Sequence, residues 1–234
     1  MYASATSNTS SVIASIVIAS IQANSAPIPA ALPPQNPFSA ITPHLVAPIF
    51  PATPLVNIAA NLPSVLAALT AANLADNSML LMALATIRAE TECFLPLTEQ
   101  PSRFNTSPGG RPFDLYDTRR DLGNQGAPDG ASFRGRGFVQ LTGRANYTLF
   151  AHATGHDLVA NPALACEPAI AAELLARFLA NKQAAIRLAL AAGDLAQARR
   201  LVNGGTNGLD RFTSAFQIGV SLLAVTDGNF SHTF

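Results

Sequence analysis

The stretch FRGRGFVQLTGRANY, residues 133–147, gathers three arginines and three glycines in a chain of which only 12% is charged. Two of the glycines, Gly135 and Gly137, indicate a backbone that turns where a larger residue would be disfavoured. The residues after them predict a short strand that leads into a helix. One interpretation gives the three arginines no role beyond ion pairs with three preceding aspartates, Asp114, Asp117 and Asp121.

Upstream of this stretch, RAETECFLPLTEQ (residues 88–100) places Glu90 and Glu99 on either side of a proline. In one continuous helix the chain would turn through about 900° between them, so their side chains would face opposite sides. Pro96 prevents this, because it is expected to end the helix near Phe94. The chain can then fold back and bring Glu99 opposite Glu90, with room for a water between the two carboxyl groups.

The surroundings of the two carboxyl groups are expected to differ. Glu90 has apolar neighbours one helical turn away, including Ile87, and an apolar setting favours the protonated carboxyl of a general acid. Glu99 lies in a polar stretch near Arg103, and a cation favours the ionised form of a general base. Such a pair is typical of glycoside hydrolysis, although acidic clusters are more often solvated or ion-paired surface groups. Glu92 is interpreted as a structural or surface charge.

The N-terminal part of the chain differs from the rest in charge. No Asp, Glu, Lys or Arg occurs before Asp76, and residues 1–52 are rich in alanine, serine and proline. This composition predicts an extension that serves for targeting, as a linker or for docking. Residues 11–21, SVIASIVIASI, resemble the apolar part of a signal peptide, but no basic segment precedes them and they are too short to span a bilayer. Residues 53–234 are predicted to form the folded domain.

Helical periodicity dominates the predicted domain. One helix is expected to start with Pro63 in its first turn, and another follows a cap at Asp76 or the next residue. A later helix is capped by Asp194 and ends at the glycines of residues 203–205. Residues 96–135 are interpreted as a long, functional loop. Because no long alternating strand occurs, the fold class is mainly α with at most a small β element.

Composition excludes several classes of function. The net charge is zero and the pI is about 6.9, so no positive field attracts nucleic acid. Cys93 and Cys166 are too few for a disulfide scaffold and either form one disulfide or remain free thiols. His152 and His156 show no catalytic pattern, and no paired ligand spacing indicates a metal. Neither a cofactor nor a metal is expected.

The block at residues 133–147 resembles the core signature of family 19 glycoside hydrolases, which include plant-type chitinases and many bacterial and phage peptidoglycan-cleaving enzymes. RAETECF resembles the helix end that carries the family's acid, so Glu90 matches the catalytic acid. Glu99 matches the second acid at the spacing of the compact bacterial members. RRLVNGGTNGLDRF, residues 199–212, is similar to the family's Asn-Gly-Gly segment. The resemblance covers roughly residues 55–225.

This resemblance implies a lysozyme-like domain over residues 53–234, with a long cleft, long irregular loops and an inverting mechanism. In that scheme Glu90 protonates the glycosidic oxygen, and Glu99 deprotonates a water on the far face of the sugar. Thr142 would help Glu99 to hold that water. The residues implied in sugar binding are Gln140, Asn146, Asn203, Arg136 and Tyr147. Of these, Arg136 could instead organise the carboxylates, and Tyr147 could belong to the core.

The chain also departs from the family. Ala89 stands where the family often has His, and Glu92 and Cys93 stand where it has two glycines. The large aromatic loops of plant chitinases have no clear counterpart, and the chain has no Trp, although Trp and Tyr are common sugar-stacking surfaces. A short cleft and a bacterial cell-wall substrate are therefore favoured over crystalline chitin.

The predicted function is hydrolysis of β-1,4 linkages in bacterial peptidoglycan by an endolysin-like enzyme of bacterial or phage type. A chitinase or chitooligosaccharide hydrolase with the same carboxylates is one alternative, a non-catalytic glycan-binding pseudo-enzyme is another, and a lytic transglycosylase would need only one acid. We expect a monomer whose partner is a polysaccharide and not nucleic acid. It would act outside the cytoplasm, in the periplasm or cell wall, after secretion or delivery. Residues 1–75 are the expected contact for a delivery, immunity or targeting partner.

Overall fold

The structure is a computed structural model that describes residues 37–227, and for residues 225–227 the backbone alone. The signal-like segment at residues 11–21 lies outside the described residues. The described chain contains ten α-helices and one two-stranded sheet. The helices are α1 (Pro43–Val46), α2 (Leu55–Ala71), α3 (Asn77–Glu90), α4 (Asp114–Asp117), α5 (Asp129–Ser132), α6 (Arg144–Thr154), α7 (Pro168–Ala180), α8 (Gln183–Ala191), α9 (Leu195–Asn203) and α10 (Leu209–Asp227). The strands are β1 (Leu97–Thr98) and β2 (Arg136–Gly137).

Helix α3 forms the centre of the hydrophobic core. It packs mainly against α10, and α2 packs against α7 beside it. Every residue from 79 to 87 is buried, as expected for a helix that is apolar on all sides. Asp76 caps this helix, because its Oδ1 accepts a hydrogen bond of 3.1 Å from the backbone N of Met79. The helix ends at Glu90, where the chain leaves the core.

Residues 37–52, which belong to the predicted extension, are part of this core. Phe38, Val46 and Ile49 are buried, and the ring of Phe50 meets that of Phe94 edge-on at 4.7 Å. Residues 37–52 therefore pack into the same compact unit as the helices that follow. The segment folds onto the domain because its apolar residues fill the space between the end of α3 and α10.

Helix α2 differs from the expectation that Pro63 lies in a first turn. The helix begins at Leu55 and continues through Pro63 to Ala71. Proline removes the hydrogen bond to the carbonyl of Ala59. Both residues lie on the exposed face, so water can satisfy that carbonyl, while the buried face continues uninterrupted.

The end of α3 also differs from the expectation. The helix stops at Glu90, and Pro96 follows only after an irregular turn. Glu92 and Phe94 have φ angles of 55° in this turn, the left-handed region that non-glycine residues rarely adopt. Phe94 is fully buried, with its ring 6.1 Å from that of Phe138, so core packing stabilises the reversal. The turn, and not Pro96, breaks the helix.

The small sheet joins the reversed chain to the block at residues 133–147. Strand β1 pairs antiparallel with β2, with Leu97 opposite Gly137 and Thr98 opposite Arg136. The strand of that block thus lies at Arg136–Gly137, before the residues expected to form it. The long loop between the strands contains α4, α5 and a 3-10 turn at Arg120–Leu122. The prediction of a mainly α fold with at most a small β element is confirmed.

Helix α9 begins and ends as the sequence predicted. Asp194 caps α9 by accepting a 2.8 Å hydrogen bond from Gln197 N, and Gly204 ends it with φ 73°. Around α6 lies a second apolar cluster, formed by Phe133, Leu141, Tyr147, Phe150, Leu158, Ala165 and Leu174.

No helix within residues 37–227 is both long and apolar enough to cross a lipid bilayer.

Candidate active site

Glu90, the last residue of α3, contacts a buried arginine. Nη2 of Arg199 lies 2.8 Å from Oε1 of Glu90, and the two side chains are 1% and 17% exposed. The immediate environment of this oxygen is therefore an ion pair, rather than the apolar setting expected from its neighbours in the helix. Within the described chain no partner contacts Oε2, which leaves that oxygen for a ligand.

Arg199 also connects Glu90 to the loop between α9 and α10. Its Nε and Nη2 donate hydrogen bonds of 3.0 and 2.8 Å to the carbonyl of Asn207. Asn203 Nδ2 donates to the same carbonyl at 3.2 Å. A Cβ added to Gly208 would come within 3.3 Å of the carbonyl oxygen of Ala89. The loop therefore packs directly against the end of α3, and the structure brings Asn203 to the side of Glu90.

Glu99 follows β1 and contacts the residue that precedes β2. Its backbone N donates to the carbonyl of Gly135 at 2.8 Å, and Gly135 N donates to Glu99 Oε2 at 3.0 Å. The antiparallel pairing of β1 and β2 fixes this register. Each strand of the sheet is only two residues long, but the pairing places the Glu99 carboxylate at the start of the turn that Gly135, Arg136 and Gly137 form, the GRG turn.

The other carboxylate oxygen of Glu99 accepts two further hydrogen bonds. Asn105 Nδ2 donates to Oε1 at 2.9 Å, and the Tyr116 hydroxyl donates at 3.0 Å. Burial, together with the negative charge of Glu99, raises the pKa of Tyr116 to about 12. The phenol therefore keeps its proton and remains a donor throughout the neutral range.

Thr142 and Gln140 meet Glu99 around Gly135. A Cβ added to Gly135 would lie 2.7 Å from Gln140 Oε1, 3.2 Å from Glu99 Oε2 and 3.3 Å from Thr142 Oγ1. Three side-chain oxygens therefore converge on the space that glycine leaves open. The sequence analysis assigned all three to the site, and the structure brings them together here.

Hydrogen bonds within the turn orient the polar groups of this cluster. The Thr142 hydroxyl donates to the carbonyl of Gln140 at 2.8 Å, so its oxygen is available as an acceptor. Gln140 Nε2 donates to the carbonyls of Leu97 and Gly137, each at 3.0 Å, which leaves Oε1 as its free polar atom. Asn146 Nδ2 donates to the carbonyl of Thr142 at 2.8 Å. Asn146 thus supports the turn from the first turns of α6.

Two predicted substrate-binding residues are instead internal. Tyr147 is 0% exposed, and its hydroxyl donates to the carbonyl of Arg134 at 2.9 Å, so it cannot serve as a sugar platform. Arg136 is 6% exposed, and its Nη1 donates to the Ser132 carbonyl at 2.8 Å and to the Tyr147 hydroxyl at 3.0 Å. Tyr147 therefore lies in the core, which was the alternative stated for it, and Arg136 contacts Tyr147 and backbone carbonyls rather than an open surface.

The residues that depart from the family pattern do not block Glu90. Ala89 is buried beneath Gly208. Glu92 forms ion pairs with Arg88 at 2.6 Å and Arg211 at 3.0 Å. The hydrogen bond from Arg88, followed by the charges of both arginines, lowers the pKa of Glu92. Glu92 therefore joins the end of α3 to α10, in agreement with its interpretation as a structural charge.

Several charged residues singled out from the sequence have partners away from the two carboxylates. The suggested pairs of the block's arginines with Asp114, Asp117 and Asp121 do not form: these aspartates contact Ser107, Arg111 and Arg119, respectively. Arg144 pairs with Asp129 instead. The two cysteines are free thiols, and His156 pairs with Glu173. Within residues 37–227 no group of His, Cys, Asp and Glu side chains could hold a metal ion.

Sequence reasoning missed three residues that contact the carboxylates, namely Arg199, Asn105 and Tyr116. Arg199 begins the stretch at residues 199–212 that carries part of the resemblance, so its position was visible but its role was not. Asn105 and Tyr116 lie in the loop between β1 and α5, which has no periodicity from which a contact could be inferred.

Comparison with known proteins identifies a similar fold. No family model matches the sequence. The structure is similar to that of chitinase C from Streptomyces griseus, with a TM-score of 0.53 and 22% identity over 77% of this chain and 76% of that one. A chitinase C mutant in which a glutamate is replaced by glutamine matches with a TM-score of 0.52 at the same identity and coverage. The chain therefore has the mainly α fold of chitinase C, as the resemblance predicted.

Proposed function

We propose that the protein is an inverting glycoside hydrolase in which Glu90 is the general acid and Glu99 the general base. The observation that carries the proposal is the convergence of Glu99 Oε2 and Thr142 Oγ1 on the space beside Gly135. The fold supports it, since the similar structures are those of a chitinase.

The geometry around Glu99 suits activation of a water. Oε1 is occupied by two donors, whereas Oε2 accepts only the backbone N–H of Gly135. A carboxylate oxygen can accept more than one hydrogen bond, and the Thr142 oxygen is a free acceptor. A water that donates one hydrogen to Oε2 and one to Thr142 Oγ1 would direct its lone pair away from both, toward a sugar carbon. As the water oxygen attacks that carbon, the hydrogen that the water donates to Oε2 passes to Glu99 as a proton.

The general acid must hold a proton on the oxygen that faces the glycosidic bond. Arg199 contacts Oε1 of Glu90, so Oε2 is the atom that would carry this proton. When the proton passes to the leaving oxygen, Glu90 becomes a carboxylate and Arg199 stabilises its charge. The ion pair therefore serves the state that follows proton transfer.

The proposed substrate is bacterial peptidoglycan. The chain has no Trp, and among residues 37–224 Phe104 is the one aromatic side chain that is largely exposed, at 74%. Little aromatic surface is then available for a crystalline glycan face. Since peptidoglycan lies outside the cytoplasm, the protein would act there, after export or delivery by a route that involves its N-terminal residues. It would act as a monomer and without a cofactor.

A chitinase is the second candidate function, because the similar structures are chitinases. A non-catalytic glycan-binding module is a third. The observation that favours it is the ion pair of Glu90, in which Arg199 occupies one of the two oxygens that could carry the proton of a general acid.

Digestion of purified sacculi and of chitin oligomers separates the three candidates. We expect reducing ends to appear from sacculi. Activity on chitin oligomers alone would overturn the choice of substrate, and binding without cleavage of either would overturn the proposal of an enzyme. A 1,6-anhydro product would identify a lytic transglycosylase instead.

A further inference from the structure

The long loop that follows β1 sends two side chains to the same oxygen of Glu99, those of Asn105 and Tyr116. We propose that Asn105 and Tyr116 are positioning residues that hold Oε1 of Glu99 and thereby keep Oε2 directed at Thr142. The inference rests on the proposed role of Glu99 as the general base. The resemblance and the fold leave the role of this loop open, and the two contacts with Glu99 give it one.

The orientation of the Asn105 amide is fixed by its own partners. The side chain is 1% exposed, and its Oδ1 accepts hydrogen bonds from Ser102 N at 2.7 Å and Thr106 Oγ1 at 2.8 Å. Its Nδ2 donates to the carbonyl of Gln100 at 3.0 Å as well as to Glu99. A flipped amide would lose these bonds and place its oxygen against the carboxylate, so Asn105 can act on Glu99 only as a donor.

Tyr116 is fixed through its backbone. Its N donates to the carbonyl of Phe113 at 3.0 Å, and its carbonyl accepts from Asn124 Nδ2 at 2.8 Å. Asn124 is buried, and its Oδ1 accepts from Arg144 N at 2.9 Å. Arg144 begins α6 two residues after Thr142, so the tyrosine that holds Oε1 and the threonine beside Oε2 are joined through one short chain of contacts.

The consequence is an asymmetric carboxylate. Oε1 has two side-chain donors, and Oε2 has one backbone donor and an open position next to Thr142. Donors to a carboxylate favour its ionised form and restrict its rotation. Without them the base would be less well aligned with the water.

The groups that face Glu99 allow a pH profile to report on this contact. Tyr116 touches Glu99, Arg134 interacts with it electrostatically across the GRG turn, and Arg119 acts on Tyr116. The Tyr116 phenol titrates at about pH 12, far above the range of the assay. A change in the acid limb of the profile on removal of the hydroxyl therefore reflects the lost donor and not the titration of the phenol.

The test compares Tyr116→Phe with Thr154→Val, which deletes a hydroxyl that contacts the Phe150 carbonyl and His156 N at the end of α6, but neither Glu99 nor the GRG turn. On the glycan that the wild type cleaves, we expect Tyr116→Phe to lower kcat about 10-fold, with KM nearly unchanged, as for loss of one hydrogen bond to a charged group. The acid limb of the Tyr116→Phe pH–rate profile should move to higher pH, while that of Thr154→Val stays in place. Asn105→Asp, which sets a second carboxylate against Glu99, should move the limb further in the same direction.

A Tyr116→Phe profile that superimposes on that of the wild type, with equal kcat, would overturn the inference. If the wild type cleaves no glycan, the proposed function fails, and thermal unfolding then decides on the contact. Tyr116→Phe, Glu99→Gln and the double variant should shift the melting temperature non-additively. Additive shifts would overturn the inference independently of activity.

Discussion

Nη2 of Arg199 lies 2.8 Å from Oε1 of Glu90, and the same guanidinium holds the carbonyl of Asn207. One buried side chain therefore links the end of α3 to the loop before α10. The arrangement leaves Oε2 of Glu90 as the atom that meets a ligand, and it makes Glu90 the residue whose replacement is most informative on this side of the site.

Replacement of Glu90 by glutamine should abolish turnover without unfolding the protein. Glutamine has nearly the same shape but cannot supply the proton, and loss of a general acid costs about 100- to 10,000-fold in rate. The matched control is Glu92→Gln, which removes a carboxylate from the adjoining turn where it pairs with Arg88 and Arg211. We expect the control to retain its activity. Release of reducing ends measures both, and equal rates for Glu90→Gln and the wild type would refute the assignment.

Replacement of Gly135 by alanine should lower kcat about 10- to 100-fold, because the added methyl group takes the space proposed for the water and disturbs the alignment of the groups that would hold it. The new methyl group would lie 3.2 Å from Glu99 Oε2 and 3.3 Å from Thr142 Oγ1, and both would have to move. Gly193→Ala is the control. A φ of 69° would strain the alanine there, but its Cβ would meet no atom within 4 Å, so we expect a lower melting temperature and an unchanged kcat. An unchanged kcat for Gly135→Ala would contradict the proposed position of the water.

Replacement of Phe104 by alanine should raise KM about 3- to 10-fold with little change in kcat, as for loss of one aromatic contact. The ring is 74% exposed beside Asn105, and the Arg103 guanidinium lies 4.8 Å from its centre. Leu188→Ala removes an equally exposed apolar side chain, 73%, from α8 and is the control. Steady-state kinetics on soluble glycan fragments decide the matter, and identical KM values for both variants would exclude Phe104 from substrate binding.

The ion pair of Asp129 with Arg144 should make stability depend on pH in the acid range. The hydrogen bond from Arg144, assisted by that from Gln125 N, lowers the pKa of Asp129 below its usual 3.8. The folded form therefore gains stability above about pH 4, and loses it as the pH falls through the lowered pKa of the folded form. Asp129→Asn should cost about 2 kcal/mol in the free energy of unfolding at pH 7 and progressively less below pH 4. Urea unfolding at several pH values measures the difference, and a cost that does not change with pH would contradict the assignment.

Much of the fold follows from local sequence signals. The Asp76 cap of α3 and the Gly204 end of α9 are both read from neighbouring residues, and the structure confirms them. Phe94 shows where such reading stops. It ends α3 early because its ring fits between Phe50 and Phe138, which are distant in sequence.

The sequence grouped several residues of the candidate site, but it did not reveal the side chains that contact the two carboxylates. Glu99, Thr142 and Gln140 carry the resemblance and meet in the structure around Gly135. Tyr147 belongs to the same block but is buried, because α6 turns it toward Phe133 at 5.3 Å. A sequence motif shows which residues occur together along the chain. The direction in which each side chain points depends on how α6 packs.

The central claim is that Glu99 activates a water for attack with inversion at the anomeric carbon. Proton NMR of the first product released from a β-1,4-linked glycan tests it most directly, if spectra are taken before the anomers equilibrate. We expect the α-anomer to appear first, because attack on a β-linked carbon with inversion gives an α product. A β-anomer or a 1,6-anhydro sugar as the first product would contradict it.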